Sequence, residues 1–138
     1  MNRRTLVLAM VLASAAAAAQ AASWIAVPGA PEVAIDLASL QLERSRATVW
    51  VRWWGRPAAA PELAVQRLGP LRINRSALRT EFDCAHRTMR TLAMHAYDGG
   101  GAPVFMSSVP GPVRPVEGPE LEWTYDAVCE AARAGGRF

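Results

Sequence analysis

The chain has 138 residues, 51% of them hydrophobic, with a formal net charge of +3, ten prolines, ten glycines and two cysteines. That length suits a single domain able to bury a real core, so the fold need not depend wholly on disulfides. One pair of cysteines is too few for a disulfide-dense scaffold, and the moderate charge is unlike that of a disordered tail.

The first residues form a leader. Arg3 and Arg4 precede an uncharged run of 14 residues, Leu6 to Ala19, and Ala19-Gln20-Ala21 has the small-x-small pattern of a signal-peptidase site. A membrane-spanning helix needs about 20 apolar residues, so the run reads as a signal peptide over 1–21 rather than an anchor or a core helix. No cysteine near the cleavage site suggests a lipid anchor, and no later stretch is a transmembrane candidate. Residues 22–138 are then one exported domain, bound for the periplasm or the cell surface. In that oxidising setting Cys84 and Cys129 read as one disulfide.

Charge is unevenly placed. Residues 44–90 carry ten arginines against three acids, whereas 22–43 and 91–138 each carry a net −3. The basic middle is either a solvated sheet face neutralised by the acidic ends or a patch for a polyanion.

In chain order, "SWIAVPG" predicts a short strand stopped at Pro28-Gly29. "EVAIDLASL" predicts a half-buried strand with Val33, Ile35 and Leu37 on one face. "ATVWVRWWG" is the strongest strand signal, with Val49, Val51 and Trp53 on one side and Trp50, Arg52 and Trp54 on the other. "ELAVQRL" at 62–68 fits a strand or a short helix. "RSALRTEFDC" places Leu78, Thr80, Phe82 and Cys84 inward on a central strand. A turn near Ala85 to Arg87 keeps His86, Thr88 and Arg90 from continuing that face.

"TMRTLAMHAYD" re-enters with Leu92, Met94 and Ala96 inward, "DGGG" makes a hairpin turn, and "APVFMSSV" returns. "PGPVRPVEGPE" reads as a proline-rich loop with no regular ladder. The tail has a helical period, with Leu121, Tyr125, Val128 and Ala132 on one stripe beside Cys129, and Glu122, Asp126 and Glu130 on another. Pro119 suits its first turn and Gly135-Gly136 its end. The sum is an α+β domain: a mostly antiparallel sheet with a C-terminal helix packed on it and tied by one disulfide.

"EFDCAHRTMRTLAMHAYD" gathers one cysteine and both histidines, the residue types of metal and thiol chemistry. Zinc needs three or four clustered ligands, and a catalytic cysteine needs a free thiolate; a disulfide at Cys84 leaves neither. No nucleophile elbow, HExxH, Walker loop or dinucleotide fingerprint occurs. The sequence therefore offers no catalytic residue, no metal ligand set, no cofactor and no nucleic-acid partner.

Several of these segments together resemble the surface-adhesin protein E family of Gram-negative bacteria. They are the leader, the early Trp24, "VAIDLASL", "VWVRWW", "EFDCAHRTMRTLAMHAYDGGGAPV" and "YDAVCEAA". The resemblance implies an extracytoplasmic antiparallel sheet with its closing helix disulfide-bonded across it. Cys84 and Cys129 match the family's cystine, and Asp36 its early strand aspartate. It also implies a non-enzymatic binding module that takes host matrix or serum proteins; a soluble periplasmic envelope-assembly or inhibitor protein is the alternative. The family often has a tryptophan between the last strand and the helix, where this chain has "VRPVEGPE" and places Trp123 later, a departure that leaves the helix's docking contact open.

Valines make the better core, which leaves Trp50, Arg52 and Trp54 on the outer side of their strand. They form either a contact surface, for a homodimer or a protein ligand, or a second small core under the proline-rich loop or another subunit. For the leader the expected outcome is concrete. Protein purified from the cell envelope has an intact mass lacking residues 1–21, and retention of Met1 there contradicts it.

Overall fold

Residues with a two-residue period make sheets, and most of this chain has that period. In the computed structural model, which describes residues 21–55, 57 and 72–135, six strands follow one another: β1 (Trp24–Val27), β2 (Ala30–Glu43), β3 (Arg46–Trp54), β4 (Arg75–Asp83), β5 (Thr88–Tyr97) and β6 (Pro103–Ser107). Each pairs antiparallel with its predecessor, in the spatial order β1-β2-β3-β4-β5-β6. A two-residue β7 (Arg114–Pro115) pairs with the start of β5, and helix α1 (Pro119–Ala134) closes the chain. The first 20 residues and the ambiguous segment 62–68 lie outside the described residues.

The inner face of the sheet is apolar at alternate positions. Val33 and Ile35 of β2, Val49, Val51 and Trp53 of β3, and Leu78 and Phe82 of β4 are all buried. Helix α1 lies over this face, crossing β1 to β4. Its stripe of Leu121, Tyr125, Val128 and Ala132 is buried as the periodicity required, together with Thr124 and Cys129. Burying each large aliphatic side chain contributes about 1.5–3 kcal/mol, which is why the valine side of β3 and not its opposite goes inward. Pro119 opens the helix, Glu120 and Glu122 sit in its first turn, Arg133 sits in its last, and the Gly135 amide reaches back to the Ala131 carbonyl at 3.2 Å.

Two contacts pin the helix. At one, the disulfide joins Cys84 to Cys129 with the Cα atoms 5.8 Å apart. Beside it the Tyr125 hydroxyl donates to the Cys84 carbonyl at 2.9 Å, and Phe82 meets the Tyr125 ring edge-on at 6.1 Å. At the other, Trp123 covers the β1–β2 turn. Gly29 there has a φ of 88°, and a Cβ on it would stand 3.1 Å from the indole. Trp123 thus supplies the docking contact on the helix itself, rather than between strand and helix.

Three details depart from the sequence reading. Leu92 is not inward. The pairing jumps from Arg79↔Ala93 to Thr80↔Thr91, so Leu92 is the extra residue of a bulge. The buried set of β5 becomes Met89, Thr91, Met94 and Ala96. Cys84 is not on a strand but one residue past β4, in the turn. The proline-rich segment does make a short ladder, Thr88↔Pro115 and Met89↔Arg114. It is tolerated because β7 is peripheral and Pro115 needs to donate nothing there.

The cystine spans 45 positions. Loop-closure entropy puts its contribution at about 4 kcal/mol at most, against a domain stability of about 5–15 kcal/mol. Cys129→Ser is expected to lower the melting temperature of the oxidised protein by well over ten degrees, measured by circular dichroism. Two titratable thiols in native, air-exposed protein would contradict the bond.

Candidate binding face

With the helix on one side, the other side of the sheet is open, and antiparallel register decides what stands on it. Trp24, Asp36, Trp50, Arg79 and Ala93 lie opposite one another across five strands. The next row holds Ala26, Ala34, Arg52, Ala77, His95 and Met106, and beyond it Trp54, Arg75 and Tyr97 stand in line. The alanines leave room for their large neighbours to lie flat.

The Arg52 guanidinium is 4.7 Å from the centre of the Trp24 ring and 5.3 Å from that of Trp54. Its Nε is buried between them and makes no hydrogen bond within the described residues. Arg75 lies 4.7 Å over the Tyr97 ring, and Trp50 meets His95 at 5.1 Å. Each exposed cation–ring pair is worth about 0.5–1 kcal/mol. Trp54 remains 52% exposed.

The structure therefore brings Trp50, Arg52 and Trp54 to one outer face, away from Val49, Val51 and Trp53. It adds Trp24, His95, Arg75 and Tyr97, which the sequence reading had not joined to them. Register across three or four strands is the missing information; period two within one strand does not carry it.

A bulge in β2 holds this face in place. Pairing with β3 runs to Asp36↔Trp50 and resumes only at Gln41↔Thr48. Ser39 bridges the gap, its hydroxyl donating to the Asp36 carbonyl at 2.7 Å and accepting from the Trp50 amide at 2.9 Å. Asp36 Oδ1 accepts from Ser23 N and Ala38 N at 2.8 and 3.1 Å. Asp36, with Ser39, is thus a backbone clamp at the centre of the row, with Trp24 and Trp50 on either side of it.

Two side-chain pairs stand at the end of the face near the β4–β5 turn. Arg90 donates to Glu81 at 3.0 Å, and Asp83 meets His86 at 3.0 Å. His86 is exposed and belongs to that turn, far from any ligand set. Among the described residues no group of three or more His, Cys, Asp or Glu is placed to hold a metal, and no helix is long and apolar enough to cross a membrane.

With this geometry in hand, comparison places the protein. The family model for Surface-adhesin protein E matches residues 24–130, from the tryptophan of β1 to one residue past the helix cysteine. The chain belongs to the surface-adhesin protein E family. The second crystal form of Haemophilus influenzae protein E is similar to it with a TM-score of 0.55 at 13% identity, over 78% of this chain and 87% of that one. Protein E from non-typeable Haemophilus influenzae is similar with a TM-score of 0.50 at 13% identity, over 82% and 78%. At such identity the likeness is one of fold. No curated protein matches the sequence. As a family member the chain is adhesin-like, and the family's surface role implies export and association with the cell surface.

Asp83 gives this face a pH limit. Burial pushes its carboxyl pKa up, but hydrogen bonds from His86, the Ala85 amide and Ser45, with the nearby His86 charge, outweigh that and hold it below its ordinary value. A depressed carboxyl stabilises the fold above its unfolded pKa and loses that effect as pH falls through the folded value. As pH falls below about 4 and through the folded value, the amides of Ala85 and His86, which donate to Asp83 Oδ1 at 3.0 and 3.2 Å, are expected to lose protection, their exchange by NMR rising toward the intrinsic rate. Asp83→Ala is expected to show that fast exchange at neutral pH as well.

Proposed function

We propose that the protein is an exported, non-enzymatic binding module, and that the outer face around Trp50, Arg52 and Trp54 takes a protein ligand of the host matrix or serum class. The observation that carries this reading is the guanidinium of Arg52 held between the Trp24 and Trp54 rings on an open sheet face. Tryptophan and arginine dominate the energetics of protein interfaces. Here both are ordered before any partner arrives, so little side-chain freedom is lost on binding. Membership of an adhesin family and the leader over 1–21 support a place outside the cytoplasm, in the periplasm or at the cell surface.

The rings can be removed without touching the core, because the Trp50 backbone amide and not its side chain bonds Ser39. Trp50→Ala combined with Trp54→Ala is expected to leave circular dichroism and melting temperature nearly unchanged. Capture of the protein by immobilised host matrix should fall by about tenfold or more. Unfolding of the double variant, or undiminished capture, contradicts the assignment. Surface protease shaving of intact cells separates a surface location from a periplasmic one.

A further inference from the structure

The outer face is not evenly charged, and the imbalance identifies what it fits. Its acids are mostly engaged. Asp36 is occupied by two backbone amides, Glu81 by Arg90, and Asp83 by His86, Ser45 and two amides of the turn. Arg46, at the end near the β4–β5 turn, and Arg52, Arg75 and Arg79, along the middle of the face, form no ion pair with any of them. Within the described residues Arg52 lies against the rings of Trp24 and Trp54, Arg75 lies on Tyr97, and Arg79 reaches the amide oxygen of Gln41, at 3.4 Å. Glu32, one residue before Val33 of β2, forms no ion pair with them among the described residues.

Register sets their spacing. Arg79 pairs with Trp50 and Arg75 with Trp54, while Arg52 stands opposite Ala77, midway between the two on the neighbouring strand. Diagonal neighbours across an antiparallel pair are about 7–8 Å apart. The order Arg79, Arg52, Arg75 is therefore a zigzag of cations along the strand direction with that step. Alternate residues of an extended peptide are separated by about 6.6–6.8 Å, nearly the same step. Arginines stacked on rings present their N–H edges outward, the orientation in which a guanidinium takes a carboxylate with two hydrogen bonds. A two-fold homodimer through this face would set the three arginines against their own copies, which disfavours self-association as its use.

We infer that the face binds an extended acidic polypeptide segment with carboxylates at alternate positions, lying along β3 and β4 over Arg79, Arg52 and Arg75, with Trp50 and Trp54 flanking it. This rests on the reading of the face as a protein-binding surface and specifies the partner's chemistry.

The test uses the full chain in its oxidised form and a fluorescent synthetic peptide alternating serine with glutamate, followed by anisotropy. Binding that weakens with added salt is expected, with about a tenfold loss in Arg52→Gln and in Arg75→Gln and no change in Arg133→Gln on the helix. The same glutamates in one contiguous block should bind several-fold more weakly; equal binding overturns the register argument. A heparin oligosaccharide or an oligothymidylate that binds more tightly than the alternating peptide, at the same arginines, overturns the peptide assignment. No binding of the peptide by protein with native circular dichroism overturns the inference. If host-matrix capture is lost in the tryptophan double variant but kept in the arginine variants, the binding face stands and its acidic partner falls.

Discussion

The docking of one helix across one side of the sheet is the constraint from which the other features follow. A strand such as β3 has large side chains on both sides, and a single helix covers only one of them. The cystine, the Tyr125 hydroxyl on the Cys84 carbonyl, and Trp123 over Gly29 hold α1 to the side lined by Val33, Ile35, Val49 and Val51. Trp24, Trp50 and Trp54 are thereby left on the far side together with Arg52, Arg75 and Arg79, with alanines between them. Displacing the helix would expose its apolar stripe and the valines together, so the choice of face is made by the whole core and not by any one residue.

The outer face is also shaped from within its own layer. A four-residue interruption of the β2–β3 ladder would leave donors and acceptors unpaired. Ser39 and Asp36 replace the missing ladder bonds with side-chain oxygens, and in doing so set the backbone of Trp50 and the start of β1. The aspartate that resembles the family's early strand aspartate thus acts on architecture. Its carboxylate faces the same side as the tryptophans and yet is largely buried, with Oδ1 taken by two backbone amides.

Much of this was legible before any coordinates. Period two placed β1 to β6 and sorted Val49, Val51 and Trp53 from Trp50, Arg52 and Trp54. Period 3.6 gave the buried stripe of α1, and cysteine parity gave the bond. What local pattern cannot supply is register. The bulge that expels Leu92 depends on how β5 meets β4, and nothing in "TMRTLAMHAYD" alone reveals a two-against-one pairing. The same holds for the assembly of Trp24, Arg75, Tyr97 and His95 around Arg52, since each lies on a different strand or at a different height. Trp123 was visible only as a tryptophan placed later than the family's, and its seat on Gly29 depends on a turn nearly a hundred residues earlier in the chain.

The order of the strands bears on how the protein is made. Every strand from β2 to β6 pairs with the one just before it, so the sheet can be laid down progressively as the chain emerges, the connection over residues 55–74 between β3 and β4 being longer than the others of the sheet. Helix α1 is different: it is the last element made, and it returns to the first two strands. Until it arrives the valine side of the sheet is bare, and Cys84 waits as a thiol. With only two cysteines in the chain, that thiol has no wrong partner within the molecule, so oxidation records one event only, the arrival of the helix. The covalent bond therefore acts as a latch on the slowest, longest-range step of assembly, closing behind a sheet that is already formed.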